Sequence, residues 1–180
     1  LIKKKDLVTA KKLCYQAKNQ EKNFHFQNTF GYLLYEFGEI NEAIKKWQST
    51  VKMNPKYFYA FSNLGNAYEK IGEFNRAVQN FNKAIQIKPD YFEAYYGLGN
   101  VQFKMSHLED ALSNLDKAIQ LRPSYQPALK SKLMLLRKMS RNQEALETLN
   151  LLISNNPADP DLLFTKGQLL SLLGRKNEAI

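Results

Sequence analysis

Apolar residues recur along this chain at helical spacing, in short blocks separated by polar turns. One block runs Phe61, Leu64, Tyr68 and Ile71; the next runs Phe74, Ala77, Val78, Phe81, Ala84 and Ile85. Steps of three and four place such residues on one side of a helix, so each block predicts an amphipathic helix with one face for the core. A short turn parts the two blocks. It carries Gly38, Gly72 or Gly174, with Ser106 and Ser140 at the equivalent places elsewhere. Glycine there can take the left-handed conformation that ends a helix.

The blocks repeat with a period of 34 residues. Glycine returns at Gly31, Gly65, Gly99 and Gly167, with Leu133 in the skipped place, and alanine at Ala43, Ala77, Ala111, Ala145 and Ala179. A large apolar residue follows four places later at Trp47, Phe81, Leu115 and Leu149, and proline closes each unit at Pro55, Pro89, Pro123 and Pro157. Small residues suit the lines where two helix axes approach closely. Proline ends the second helix of each unit, because its ring clashes with the preceding turn and it donates no hydrogen bond. A hairpin of this kind cannot bury its apolar face alone; stacking on its neighbours makes a continuous core. The expected fold is therefore all-α, a single domain over 1–180. It has full units at 24–57, 58–91, 92–125 and 126–159 and partial ones at 1–23 and 160–180. In the first partial unit Leu7, Ala10, Cys14 and Ala17 read as a second helix offset by one residue, with Cys14 a small buried hydrophobe. The last unit supplies a first helix and stops at Ile180 inside the next, and the chain opens on Leu1, as a piece cut from a longer one would. Both ends leave a face that wants a neighbour, so self-association through open repeat ends is a further expectation.

The columns resemble the tetratricopeptide repeat family, whose signature includes Trp-x-x-Leu-Gly-x-x-Tyr, a later Ala-x-x-x-Phe and a closing Pro. Phe61-Ser62-Asn63-Leu64-Gly65-Asn66-Ala67-Tyr68, Ala77, Phe81 and Pro89 match it, and Tyr95, Leu98, Gly99, Ala111, Leu115 and Pro123 match nearly as well. Unit 126–159 departs most, with Lys132 and Leu133 in place of Leu-Gly, so its packing on the preceding unit is expected to be looser or rotated. The resemblance implies a right-handed α-solenoid of helix-turn-helix repeats, a superhelix whose concave face is lined by the first helix of each unit. It also implies a protein or peptide partner held in that groove and no catalytic residues. On this pattern the groove includes Asn28, Tyr32 and Tyr35, then Ser62, Asn63, Asn66 and Glu69. Tyr96, Asn100, Phe103 and Lys104 follow, then Lys130, Met134, Arg137 and Lys138, and last Phe164 and Gln168.

Those side chains suit a peptide. An asparagine amide both donates and accepts, so Asn63, Asn66 and Asn100 can hold an extended backbone whatever its side chains. Tyr32, Tyr96 and Phe103 offer flat apolar contact, and Lys104, Lys130, Arg137 and Lys138 favour an acidic segment at one end. The clamp of chaperone-tail binders, which needs Lys, Asn, Lys and Arg in consecutive first helices, finds Asn28, Tyr32, Asn63, Glu93 and Gly97 in one register. The other register finds Ser62, Asn66, Gly97, Pro127 and Ser131. Neither fits. The asparagine-bearing groove is also similar to that of O-linked N-acetylglucosamine transferases, so the alternative reading is the substrate-recruiting arm of a larger enzyme.

Composition narrows the rest. The chain is 44% hydrophobic and 24% charged, as an ordinary folded domain is, and apolar runs such as Leu133–Leu136 are too short to span a bilayer. The start lacks the form of a secretion signal, and a single cysteine allows no internal disulfide, which fits a cytoplasmic setting. Of the net charge of +9, residues 1–23 hold seven lysines against two acids, a surplus of +5. Nucleic-acid binding through that basic N-terminus is the weaker alternative, since no base-stacking aromatics accompany it. No phosphate loop, cofactor motif or metal cluster is expected: Gly97-Leu98-Gly99 follows no strand, and His25 and His107 stand far apart in the period.

Overall fold

Every element of the computed structural model is a helix among the described residues, which are 4–17 and 22–175. Lys3, Lys18, Ala179 and the expected helix reaching Ile180 lie outside them. The chain divides into two compact units, residues 1–90 and 91–180. The first holds α1 (Lys4–Gln16), α2 (Phe24–Glu36), α3 (Ile40–Met53), α4 (Phe58–Lys70) and α5 (Phe74–Ile87). The second holds α6 (Phe92–Lys104), α7 (Leu108–Leu121), α8 (Gln126–Lys138), α9 (Asn142–Asn155) and α10 (Pro160–Leu172). First helices begin at 24, 58, 92, 126 and 160, so the 34-residue spacing of the sequence is carried by the backbone.

One hydrogen-bond pattern makes every turn inside a hairpin. After α4 the Gly72 N–H donates to the Glu69 carbonyl and the Glu73 N–H donates to the Tyr68 carbonyl. The same pair recurs around Gly38, Ser106, Ser140 and Gly174. This crossed pair closes a helix whose next residue is left-handed. The central residue has φ of +80° at Gly38 and Gly72 and +73° at Gly174, but also +63° at Ser106 and +57° at Ser140. Between hairpins the stop is different. Asn54, Lys88, Arg122 and Asn156 each precede a proline, and each leaves the helical region, with φ between −133° and −149°. The proline ring forces that conformation on its predecessor. Restarts use local devices: Asn23 Oδ1 accepts the Phe26 N–H at the start of α2, while Asp159 caps α10 ahead of Pro160.

The glycine column marks contact within each hairpin. A Cβ placed on Gly31 would stand 2.7 Å from Trp47 Nε1, and one on Gly99 would stand 2.9 Å from Leu115 Cγ. The four large partners, Trp47, Phe81, Leu115 and Leu149, are at most 1% exposed, and the alanines at 43, 77, 111 and 145 are fully covered. In the first unit Phe30, Leu34, Leu64 and Ala67 are buried as well. In the second, Leu129, Leu133, Leu135 and Leu136 of α8 join Leu146, Leu152, Leu169 and Leu170.

Three expectations are corrected. The effect of Leu133 falls inside its own hairpin: α8 lies less closely along α9 than α6 does along α7, whereas α8 meets the preceding α7 about as closely as α4 meets α3. The glycine column faces the hairpin's own second helix, so losing the glycine spreads that pair and leaves the junction with the previous hairpin intact. Cys14 is half-buried, on an α1 that rests lightly on α2, and its thiol is pushed up by what burial it has. Ile71 is no core residue; it caps α4 and is 40% exposed.

Candidate functional site

The first helices carry a repeating solvent stripe. Within each helix the residues at the fifth, ninth, twelfth and thirteenth positions lie one or two turns apart on one side.

In the first unit the stripe belongs to α2 and α4. Asn63 Nδ2 donates to Asn28 Oδ1 at 3.1 Å, so two asparagines already join these helices through their side chains. Asn66, one turn further along α4, is exposed. Tyr32 is 51% exposed; burial of part of its ring, then the neighbouring Glu36 carboxylate, hold its hydroxyl above the usual phenol range. Tyr35 is half-buried, 5.8 Å from the Trp47 ring, with Lys70 Nζ 4.6 Å from its centroid. Ser62 does not line this face: it is 3% exposed.

In the second unit the stripe runs over α6, α8 and α10. Tyr96 is half-buried and meets the Tyr125 ring edge-on, centroids 5.3 Å apart. Phe103 is half-buried against the core, and Lys138 Nζ sits 5.0 Å from its centroid. Asn100 is half-exposed and Lys104 exposed. Lys130, Met134 and Arg137 follow one another along the exposed side of α8, Met134 being 62% exposed. On α10 Phe164 is 69% exposed, and Gln168 one turn on is exposed too. Glu93 Oε2 is buried without a hydrogen-bond partner, and its charge helps raise the Tyr125 hydroxyl after burial and Tyr96.

Each unit thus gathers its own share of the expected residues. Tyr32, Asn63 and Asn66 share the first face; Tyr96, Asn100, Phe103, Lys104, Lys130 and Arg137 share the second. Four stripe members went unnamed from the sequence: Glu36, Lys70, Ser171 and Leu172, all exposed and the last 68% so. Their signal was present: 36, 70, 104, 138 and 172 are one column of the period, and 35, 69, 103, 137 and 171 another.

Two clefts elsewhere among the described residues hold no convergent chemistry. A cleft of about 420 Å³ is lined by Tyr95, Ser113, Asn114, Asp116, Lys117 and Gln120. Four of its polar side chains are engaged: Asn114 donates to Gln102 at 2.8 Å, Lys117 to Gln120 at 2.9 Å, and Lys132 pairs with Asp116 at 2.5 Å. A second, of about 370 Å³, contains Glu42 and Lys45, themselves paired at 2.6 Å. His25 stacks on Phe24 at 4.0 Å, and among the described residues no trio of His, Cys, Asp and Glu could hold a metal. None of the described helices is long and apolar enough to cross a membrane.

Comparison with known proteins agrees with this architecture. A family model described as TPR repeat matches residues 31–72 and 70–106, and one described as tetratricopeptide repeat matches 92–125; together they span over half the chain. No curated protein sequence matches. Among solved structures, MamA superposes with a TM-score of 0.75 at 26% identity, over 83% of this chain and 87% of its own. YrrB, described as a TPR protein with an unusual peptide-binding site, gives 0.74 at 20% identity, over 92% and 86%. A tetratricopeptide repeat protein from Parabacteroides merdae gives 0.77 at 23%, over 98% and 70%.

Proposed function

Because the chain belongs to the tetratricopeptide repeat family, whose fold generally serves protein interaction, we propose that it is a non-catalytic scaffold holding a partner's peptide segment on its first helices. The observation that carries this reading is large side chains left in water on that stripe, beside amides. Tyr32, Met134 and Phe164 are 51%, 62% and 69% exposed, and Asn66 and Asn100 stand at the same register as Tyr32 and Met134. Exposed apolar side chains mark a contact site where several gather on one face, as Met134, Phe164 and Leu172 do on the first helices of the second unit. The neighbouring amides can take the backbone hydrogen bonds of an extended segment. The peptide-binding site ascribed to YrrB is consistent with the same use of the fold. The repeat boundaries that go with this reading are 24–57, 58–91, 92–125 and 126–159, and the setting is cytoplasmic, where a lone half-buried cysteine stays reduced.

A groove this polar would bind in the micromolar range, on the order of −8 kcal/mol. The test is selection of peptides from a random display library on the purified chain, followed by titration against Asn66→Ala, Asn100→Ala and a control variant, Lys83→Ala, on the second helix α5. Weakened binding to the asparagine variants with unchanged helix content supports the reading. Selected peptides that bind all variants equally would refute it.

A further inference from the structure

We infer that the face of the second unit takes an acidic segment whose carboxylates are interleaved with large apolar side chains. This rests on the reading of the first helices as the binding surface, and adds to it the chemistry of the occupant.

The middle helix of the face, α8, has four basic residues and no acid along its length. Lys132 is turned aside, paired with Asp116 of α7. The others are not so engaged. Lys130 and Arg137 are exposed, and neither has an acidic partner among the described residues. Lys138 is exposed and lies over the Phe103 ring. Spacing of seven and eight residues puts Lys130, Arg137 and Lys138 on one stripe, with Met134 between them. Three exposed cations on one stripe make a positive face, which a carboxylate-bearing ligand complements.

Apolar surface flanks the charge. Met134 stands on the stripe itself, and α10 presents Phe164 at the register of Lys130 and Leu172 at the register of Lys138, 69% and 68% exposed. An occupant that only neutralised the cations would leave these side chains in water. One with alternating acidic and apolar residues covers both.

A nucleic acid would meet the same cations but fits the rings less well. Base stacking needs a bare aromatic face. Here Lys138 occupies the face of Phe103 and Tyr96 is set edge-on against Tyr125, so the exposed Phe164 ring is a lone platform where single-strand binding uses a succession of them. The exposed anchors include Met134 and Leu172, which stack on nothing. The first unit's stripe differs, since Glu36 and Glu69 accompany Lys70 there.

The test is fluorescence anisotropy with three labelled probes: a peptide alternating glutamate with leucine and phenylalanine, the same peptide with glutamine for glutamate, and polyuridylate. The acidic peptide should bind the chain roughly tenfold more tightly than the glutamine peptide at low salt, and lose that margin as salt rises. Charge reversal, Lys130→Glu with Arg137→Glu, should abolish the margin. Phe164→Ser with Met134→Ser should weaken binding several-fold while leaving the salt dependence in place, and circular dichroism checks that each variant is folded. Equal binding of the glutamine peptide overturns the inference but leaves the scaffold reading standing. Binding of polyuridylate as tight as that of the acidic peptide, or a margin that survives charge reversal, also overturns it. If neither peptide binds and library selection yields none, both readings fall together.

Discussion

Gly65 lies so close beneath the Phe81 ring that a Cβ added to it would stand 2.7 Å from Phe81 Cε1. The ring has no room to retreat, since Phe81 is fully buried. Gly65→Ala should therefore cost about 1–3 kcal/mol, the usual range for overpacking a filled core. Urea unfolding followed by circular dichroism measures it. A stability equal to the parent's would mean that the α4–α5 hairpin tolerates spreading and that the glycine column is not a packing constraint.

The turn column makes a prediction of opposite sign. Ser106 and Ser140 hold φ of +63° and +57°, where a side chain is strained by about 1–2 kcal/mol relative to glycine. Replacing serine with glycine removes that strain but loosens the unfolded chain, which returns part of the gain. Ser106→Gly and Ser140→Gly should each stabilise by about 0.5–1 kcal/mol. Gly72→Ser, the converse change at φ +80°, should destabilise by a similar amount. Thermal unfolding of the three variants decides it, and a loss of stability in either serine variant would show that its hydroxyl matters more than its backbone.

What the period made legible is which residues are equivalent, and that covered most of the fold. The five turns, the four proline stops and the close helix approaches at Gly31, Gly65 and Gly99 sit where the columns placed them, because each rests on a backbone or volume constraint that few residue types satisfy. Opposing partners were less legible. Nothing in a repeat says that Asn28 and Asn63, 35 residues apart, would bond across two helices, because that depends on the distance between those helices in space. Ser62 read as a groove residue because it is polar at a groove position, yet a small hydroxyl is easily covered, and it is 3% exposed. The departure at Leu133 was visible, but its consequence was assigned to the wrong neighbour, since the sequence names the residue lost and not the helix it faced. The binding faces follow the same rule: the stripe was readable as a column, while the exposure that separates Met134 from half-buried Phe103 was not.

Alkaline pH should destabilise the protein. Burial, first among the causes, holds the hydroxyls of Tyr35, Tyr57 and Tyr125 above the ordinary phenol value, with neighbouring acids or tyrosines adding to it. A folded-state value above the unfolded one means that the neutral form is favoured by folding. The associated stability is then complete below the unfolded value of about 10 and is lost as pH rises through the folded values. Unfolding midpoints should be flat on the neutral side and fall beyond that point, and Tyr35→Phe with Tyr125→Phe should flatten the fall. Ultraviolet titration of the folded chain should show these phenols ionising late; titration of all ten tyrosines together at the peptide value would remove the basis for the prediction.

Trp47 is the one large column residue that also bonds through its side chain. Its Nε1 donates to the Asn28 carbonyl at 3.1 Å, while the ring is 1% exposed. The equivalent places in later hairpins hold Phe81, Leu115 and Leu149, none of which can donate, so the fold does not require that bond. Trp47→Phe should then leave the helix content intact and cost about 2 kcal/mol, the sum of a lost hydrogen bond and a modest cavity beside Gly31. In the parent, the same burial predicts tryptophan emission at short wavelength that moves red only as the α2–α3 hairpin opens. Emission already red in the folded protein would place the indole in water and contradict the packing of Trp47 against Gly31.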